Sequence, residues 1–375
     1  MDIKHLHIVS FDIPYPPDYG GVIDVFYCIR ALHQAGIAIT LHCSYKGTLT
    51  HFPQLEQLCE KVYYYKRRTG LVSQLACLPY GIVSRINKDL LNNLLQDDAP
   101  ILFEGLVSCY LMSHPDLSHR TKIFRECNIE HDYYRGLAKA SHSLWKTAFY
   151  QIEAYKLQHF ERILCHANSI AAVAHQDEQY FCSKYPQIPT YYIPSFHGSR
   201  DIISKAGKGD YILYHGNLQL AENENAAMYI LKQIVPQLPE CQFILAGRLP
   251  SERLKEQAAR YNNVSLIDSP DSVQMEQLIC DAHIHLLPTF QATGLKLKLL
   301  NVLYNGRHVV VNPQMAHGTD VGSLCHVAHS TEEIITLCRH LSEQTFSLSE
   351  IHKREAILGQ IYNDDINLQK LLKLI

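Results

Sequence analysis

The segment 288–312 reads PTFQATGLKLKLLNVLYNGRHVVVN, and it predicts a leucine-rich helix followed by a β-strand. Another short apolar run, IHLLPT from Ile284, comes just before the Thr-Gly pair and predicts a strand as well. A strand, a helix and a second strand in this order are typical of parallel sheets with crossover helices. Ligands of such sheets bind at the carboxyl ends of the strands, so we expect function at the turn before the helix.

Two lysines, Lys296 and Lys298, stand at the start of this helix. If the helix begins near Thr293 or Gly294, Thr293 caps it, and the N–H groups of Leu295 and Lys296 point outward. A helix N-terminus carries a partial positive charge, to which lysines add mobile cations. This pattern predicts a diphosphate site. On spacing alone, an alternative stays open in which both lysines only extend from an apolar helix into solvent.

The rest of the chain repeats the same alternation of short β-rich runs and helical stretches, in two series. Between the first two strands, GGVIDVFYCIRALHQAG from Gly20 has apolar residues at helical spacing, with Gly36 at the expected end. The predicted strands are HLHIVSF from His5, AITLHCSY from Ala38, KVYYYK from Lys61, ILFEG from Ile101, KIFREC from Lys122, RILCHA from Arg162, YILYHGN from Tyr211, CQFILAGR from Cys241, VSLIDS from Val264, IHLLPT from Ile284, HVVVN from His308 and CHVAHS from Cys325.

These series predict two Rossmann-like, doubly wound domains. The chain has 375 residues, more than one hydrophobic core usually holds. A stretch rich in Ser, Gly and Lys, SFHGSRDIISKAGKGD from Ser195, suits a linker. We therefore place the domains at 1–199 and 200–349. The terminal segment 350–375, with Ser349 as a candidate cap, is expected to pack back on the first domain as helix.

Composition excludes several classes of function. The net charge of −3 provides no basic surface for nucleic acid. No run of about 18 apolar residues occurs, and the first residues do not resemble a signal peptide, so we expect a cytoplasmic protein. Its 12 cysteines are scattered and are expected to be reduced. His283 and His285 would share a strand face, but a third ligand is not evident nearby, so no metal site is predicted.

The segment GLKLKLLNVLYNGRHVVVN resembles a motif of the retaining family-4 glycosyltransferases of GT-B fold. Four further segments resemble that family in the same order along nearly the whole chain. They are YPPDYGG from Tyr15, CNIEHDYYRGLA from Cys127, EAYKLQHFERILCHANSIAAVAHQDEQYF from Glu153 and ILYHGNLQLAENENAAMYIL from Ile212. The resemblance implies two Rossmann-like domains facing across a cleft and a metal-independent hexosyltransferase without a cofactor, whose donor is a nucleotide-diphosphate sugar.

The resemblance also implies roles for individual residues in donor binding. From the first domain, Gly20 and Gly21 would approach the diphosphate. From the second, the family pattern assigns the donor to Gly294, Leu295, Lys296 and Lys298. Gly216 and Asn217 replace a Gly-Arg and Lys pattern, so phosphate neutralisation falls on the lysines. Asn301 stands where the family has a glutamate that holds the ribose, and an amide bonds more weakly than a carboxylate, by about 1 kcal/mol.

The family's catalytic positions depart further from its pattern. Thr293 stands where a glutamate lies near the donor sugar, and Cys127 replaces a histidine in front of Asn128 and Glu130. His131 is a candidate substitute for that histidine. Spacing alone favours a loop that caps the following helix for Asn128 and Glu130, and the resemblance reverses that preference.

The resemblance implies transfer with retention to a saccharide or lipid-linked saccharide acceptor in surface-polysaccharide synthesis. YYYKRR from Tyr63 to Arg68 fits peripheral contact with the inner membrane face, and equally fits the solvated end of a strand. Two alternatives remain open: a catalytically impaired GT-B partner protein that only binds nucleotide sugars, and a sugar epimerase that needs no acceptor.

Overall fold

The computed structural model describes residues 5–70, 73, 76–141, 143–290 and 296–375. The chain divides into two compact units. Unit 1 comprises the described residues up to Gly198 together with 364–375, and unit 2 comprises the described residues from Ser199 to Asn363. The change of unit at 198/199 falls inside the predicted linker.

Unit 1 contains a seven-stranded parallel sheet in the order β3-β2-β1-β4-β5-β6-β7. Alternate residues of β1 face two separate hydrophobic cores, Leu6 and Ile8 on one side and Val9 on the other. This double burial explains why every residue is buried in the strands ILFE, from Ile101, and SIAA, from Ser169. The strands are β1 His5–Ser10, β2 Ala38–Tyr45, β3 Lys61–Lys66, β4 Ile101–Glu104, β5 Lys122–Arg125, β6 Ser169–Ala172 and β7 Thr190–Tyr192.

The helices of unit 1 cover both faces of the sheet. Gly36 follows α1 with φ of +81°, the left-handed geometry expected of its C-terminal stop. The α-helices are α1 Gly20–Gln34, α2 Pro53–Glu56, α3 Tyr80–Val83, α4 Lys88–Leu94, α5 Glu130–Ala140, α6 Leu144–Phe160, α7 His175–Lys184 and, from the chain terminus, α15 Asp364–Leu372. Shorter 3₁₀ segments span Leu106–Leu111, Pro115–Leu117 and Glu161–His166.

One predicted strand of unit 1 is wrong. RILCHA from Arg162 lies in the 3₁₀ segment Glu161–His166, and the sheet continues instead with β6 at Ser169–Ala172. Glu161 is buried, and its Oε1 accepts hydrogen bonds from Lys184 (2.6 Å) and Tyr180 (2.8 Å). These contacts hold the apolar run as a tight turn that extends helix α6, so its composition alone gave the wrong element.

A buried ionic cluster crosses the core of unit 1. Arg125 ends β5, Asp24 lies on α1 and Glu104 ends β4, and all three are fully buried. Nη2 of Arg125 donates to Oδ1 of Asp24 at 2.9 Å, and Oδ1 of Asp24 also accepts the N–H of Phe196 at 2.6 Å. Burial raises the pKa of Glu104 and so favours its neutral form, and Asp24, which is closer to the guanidinium (2.9 Å against 4.0 Å for Glu104), is its main counter-charge.

Unit 2 contains a six-stranded parallel sheet in the order β10-β9-β8-β11-β12-β13. Its strands are β8 Tyr211–His215, β9 Gln242–Gly247, β10 Val264–Asp268, β11 Ile284–Leu286, β12 His308–Val311 and β13 His326–Val327. Its α-helices are α8 Ala221–Tyr229, α9 Glu252–Ala258, α10 Ser272–Asp281, α11 Leu297–Asn305, α12 Pro313–Ala316, α13 Thr331–Glu343 and α14 Leu348–Ile361. A π-helical turn, Ile230–Ile234, extends α8, and 3₁₀ segments span Val235–Gln237 and Gly322–Leu324.

The described part of the segment 288–312 contains the predicted helix, α11, and the predicted strand, β12, whereas residues 291–295 of the predicted turn lie outside the described residues. Two reciprocal hydrogen bonds tie its ends together: Thr289 N–H donates to Asn312 Oδ1 at 3.0 Å, and Asn312 Nδ2 donates to the Thr289 carbonyl at 2.6 Å. The expected helix start is wrong by about three residues, because α11 begins at Leu297 with Lys296 in the N-cap position. The N-cap position predicted for Thr293, a residue outside the described ones, thus belongs to Lys296, and Lys298 lies in the first turn.

The end of the chain is shared between the two units. Leu368 and Leu371 of α15 join the core around α1, so α15 belongs to unit 1. Helix α14, expected to return to the first domain, falls in unit 2 because Nη1 of Arg354 donates to the carbonyls of Leu303 (3.0 Å) and Gly306 (2.6 Å). Its cap is Ser347 rather than Ser349.

Candidate functional site in the second unit

The carboxyl ends of β8 and β11 meet where the strand order of unit 2 reverses. From β8 the chain adds β9 and β10 on one side, and it then adds β11, β12 and β13 on the other. Such a switch point leaves a crevice at the carboxyl ends of the strands. Gly216 and Asn217 directly follow β8, and the turn that leads to Lys296 follows β11. The structure thus brings these predicted donor-binding segments to adjacent strands.

Lys298 is held over the end of β8. Its Nζ donates to Oδ1 of Asn223 at 3.0 Å and lies 5.5 Å from the ring centre of Tyr214. Asn223 is itself fixed, because its Nδ2 donates to the carbonyl of Asn217 at 3.0 Å. This chain of contacts positions the Lys298 ammonium beside the turn that carries Gly216.

Both lysines are easily deprotonated in the free protein. Burial lowers the pKa of Lys298 to about 8, although the carboxylate of Glu222 opposes that shift. Burial, and then the charge of Lys298, lower the pKa of Lys296 to about 8, again against Glu222. The charge of Lys298 lowers the pKa of Lys296 because the two half-buried ammonium groups repel each other, and a bound anion would relieve that repulsion. Burial and Lys298 also lower the pKa of His215 to about 3, which leaves that imidazole neutral.

Close backbone contact shapes the turn after β8. A Cβ added to Gly247, at the end of β9, would lie 1.8 Å from the carbonyl oxygen of Gly216 and 2.9 Å from Leu218 Cγ. Only glycine fits between the two turns. The peptide of Gly216 is therefore fixed in place next to Asn223, and its N–H donates to the carbonyl of Ala246 at 3.1 Å.

Of the remaining predicted donor-binding residues of the second unit, the structure describes Asn301 and leaves three outside the described residues. Asn301 is exposed on α11, and Asn305 Nδ2 donates to its side-chain oxygen at 2.5 Å. Thr293, Gly294 and Leu295 lie outside the described residues, so their predicted roles stay predictions.

In unit 1, Gly20 and Gly21 begin α1 at the carboxyl end of β1. A Cβ on Gly21 would lie 2.8 Å from Cζ of Phe11, so this glycine permits close packing of the turn. Arg85 braces the same turn, since its Nε donates to the carbonyl of Phe11 at 2.8 Å.

The predicted acceptor-side residues lie at the start of α5. Glu130 is half-buried and its pKa is raised to about 7 by burial, against the opposing charge of Arg85. Asn128 precedes it, and its Oδ1 is buried and accepts no hydrogen bond from the described residues. His131 is buried on the inner side of α5, with Nδ1 3.2 Å from Oε2 of Glu161. Burial raises the pKa of the Cys127 thiol, so a neutral group stands where the family has histidine.

Sequence reasoning missed Asn223 and Glu222. Both lie in the quoted run ILYHGNLQLAENENAAMYIL, but they begin helix α8 rather than the turn itself. Both become part of the site only through Lys298 of α11, which bonds Asn223 although the two residues are 75 positions apart in the chain. The sequence did offer one signal for them, an acidic residue in the first turn of a helix that follows a glycine turn.

Two parallel-sheet units of this topology define the GT-B fold of glycosyltransferases. None of the protein-family models matches the chain. An uncharacterized 44.6 kDa protein in the cps region of Klebsiella pneumoniae is 25% identical over 362 residues, 91% of each chain.

Solved glycosyltransferase structures share the fold at low sequence identity. The UDP-forming trehalose-phosphate synthase of Burkholderia xenovorans matches with a TM-score of 0.66 and 8% identity, over 99% of both chains. Anabaena HepE, in complex with UDP and glucose, gives 0.66 and 12%, over 99% of this chain and 98% of its own. Sucrose-phosphate synthase from Thermosynechococcus elongatus gives the same values.

Proposed function

We propose that this protein is a glycosyltransferase that moves a hexosyl unit from a nucleotide-diphosphate sugar to a saccharide acceptor, with retention at the anomeric carbon. One observation carries the proposal: in a GT-B fold, Asn223 holds the ammonium group of Lys298 beside the turn at Gly216, at the switch point of unit 2, and Lys296 is close enough to Lys298 for their charges to interact. A diphosphate there would meet two cations, a glycine turn and the amino end of α11.

In this reaction, Lys296 and Lys298 would stabilise the leaving group. As the bond between the anomeric carbon and the phosphate oxygen breaks, negative charge grows on the diphosphate. Lys296 and Lys298 are placed to balance that charge without a metal ion. In a retaining reaction on one face of the sugar, the leaving phosphate oxygen takes the acceptor's hydroxyl proton. The protein then needs to position the reactants rather than supply a nucleophile, so Thr293 is compatible with activity.

On the acceptor side, we propose Asn128 and Glu130 as the residues that contact the acceptor or the donor sugar. Support comes from the raised pKa of Glu130 and the buried, unbonded amide oxygen of Asn128. Participation of His131 in proton transfer stays a prediction.

The cps-region relative supports a role in surface-polysaccharide synthesis. A lipid-linked acceptor, and peripheral contact of residues 63–68 with the membrane, are part of this proposal. Within the described residues, no helix has both the length and the apolarity needed to cross a bilayer.

The test is turnover of UDP-glucose and of other nucleotide sugars with a panel of saccharide acceptors. We expect release of nucleoside diphosphate that depends on an acceptor, and a product with the donor's anomeric configuration by NMR. Tight binding without turnover under any acceptor would identify a nucleotide-sugar-binding partner protein. Release of an epimerised sugar without an acceptor would identify an epimerase. Either result would overturn the proposed transfer.

Donor affinity should fall above pH 8. A bound diphosphate raises the pKa of each lysine above its value of about 8 in the free protein, so binding takes up protons at higher pH. Affinity is therefore full below pH 8, and by pH 9 we expect a loss of about tenfold for each lysine that must be protonated. The measurement is calorimetric titration of UDP-glucose between pH 7 and 9, with Lys298→Met measured at each pH to cancel titration of the ligand. If affinity for UDP-glucose falls as steeply with pH in Lys298→Met as in the wild type, the assignment of Lys298 to the diphosphate site is contradicted.

A further inference from the structure

Two histidines and a glutamate meet at the amino ends of β12 and β13. His308 begins β12, and His326 begins β13 opposite Val310 in parallel register. Residues two apart on a strand face the same side, so both imidazoles project from one face of the sheet. Glu350, in the first turn of α14, places Oε1 3.6 Å from Nδ1 of His308. One ligand atom from each of the three side chains lies within 4.8 Å of the others.

His308 lacks the partners that a buried imidazole needs. It is 2% exposed, and neither of its ring nitrogens has a hydrogen-bond partner among the described residues. Leaving such a group unbonded is costly. The neighbouring His283 shows the usual arrangement, since its Nε2 donates to the Leu341 carbonyl at 2.8 Å and its Nδ1 accepts from Gly209 N–H at 3.2 Å.

A second cluster in unit 1 provides an internal comparison. His5, His7 and Asp97 also lie close enough to share an ion. Their atoms are already engaged, because His7 Nε2 bonds Asp97 Oδ1 at 2.9 Å and His7 Nδ1 bonds His42 Nε2 at 2.9 Å. His5 Nε2 bonds Thr40 at 2.9 Å. Hydrogen bonds account for this cluster of unit 1, but they do not account for the cluster at His308.

We propose that His308, His326 and Glu350 bind a divalent transition-metal ion, with Zn²⁺ as the natural occupant. Two imidazole nitrogens and one carboxylate oxygen form a ligand set typical of zinc. In tetrahedral geometry, ligand atoms lie about 3.3 Å apart, so small side-chain rotations close the site. Oε2 of Glu350 accepts the N–H of Ser347 at 2.8 Å, which leaves Oε1 for the ion and orients it. His326 is half-exposed, which gives the ion and a water ligand access from solvent.

The site's position indicates a structural role. It joins the last two strands of the sheet to the start of α14, and it lies at the opposite end of the strands from Gly216 and Lys298. The ion would tie α14 to the sheet edge without touching the proposed donor site. It is independent of the proposed glycosyl transfer, for which we propose no metal.

The test is titration of the metal-stripped full chain with Zn²⁺, after alkylation of the exposed cysteines Cys77, Cys165 and Cys182. We expect one tightly bound equivalent and a Tm that rises with Zn²⁺. Glu350→Gln retains the capping box, since glutamine can replace glutamate there, but removes the anionic ligand. It should weaken Zn²⁺ binding at least about tenfold, and His326→Ala at least as much.

Two variants serve as controls. His352→Ala removes an exposed imidazole two residues from Glu350, and Asp97→Asn alters the comparison cluster. Both should retain wild-type stoichiometry and affinity, and Glu350→Gln should retain the wild-type Kd for UDP-glucose. Absence of a bound equivalent in the wild type, unchanged binding in Glu350→Gln and His326→Ala, or loss of binding in Asp97→Asn would each overturn the proposal.

Discussion

Replacing Lys298 by methionine is expected to weaken binding of UDP-glucose about 10- to 100-fold, the value of one charge-assisted hydrogen bond to phosphate. Turnover should fall further, by about 100- to 1,000-fold, because charge on the diphosphate grows in the transition state. Methionine retains much of the apolar stem beside Tyr214 and removes the ammonium that Asn223 positions. Calorimetry and initial rates measure the two effects separately.

Matched variants separate a local effect of Lys298 from a general loss of positive charge. Lys232→Met removes an exposed ammonium from the same unit and should leave both Kd and turnover unchanged. Asn223→Ala keeps the ammonium but removes its partner, so it should cost less than Lys298→Met. Equal binding by Lys298→Met and wild type would show that the diphosphate lies elsewhere.

Replacing Asp24 by alanine is expected to destabilise unit 1 by about 3–5 kcal/mol, because it leaves the Arg125 guanidinium buried without its counter-charge. Asp24 is fully buried and also accepts the N–H of Phe196, so the change removes two interactions from the core. Urea unfolding followed by circular dichroism measures the loss. Asp271→Ala, which removes an exposed helix cap from α10, should cost only about 1 kcal/mol.

The double variant Asp24→Ala/Arg125→Met tests the cause of that loss. The double variant removes both charges of the pair, and burial favours the neutral form of the remaining Glu104, so no buried guanidinium is left without a counter-charge. We therefore expect the double variant to be clearly more stable than the sum of the two single changes would give. If the destabilisation of the double variant equals the sum of the two single changes, a charge pair is not the source of the lost stability.

The order of strands and helices could be predicted from the sequence because both faces of each parallel sheet are buried. Runs such as ILF in β4 and VVV in β12 stay apolar along their length and stand out from the amphipathic helices between them. RILCHA has the same composition, yet it forms a 3₁₀ turn. Its conformation depends on Glu161 bonding Tyr180 and Lys184, and contacts with a later helix leave no local pattern.

The candidate site was predictable only in part, for the same reason. The lysines follow a turn with a helix behind it, which is a local signal. Their environment is not local: Asn223 and Glu222 come from a helix some 75 residues earlier, and burial lowers the pKa of both lysines. The start of α11 was misplaced because a lysine, which is not a common cap, occupies the N-cap position. The pairing of His308 with His326 required the strand register.

The most direct test is a crystal structure of the chain with UDP or UDP-glucose. The proposal predicts diphosphate oxygens at about 2.7–3.1 Å from Nζ of Lys298, next to the turn that follows β8 and the amino end of α11. A nucleotide bound away from the carboxyl ends of β8 and β11, or ammonium groups of Lys296 and Lys298 that make no contact with its phosphates, would contradict it.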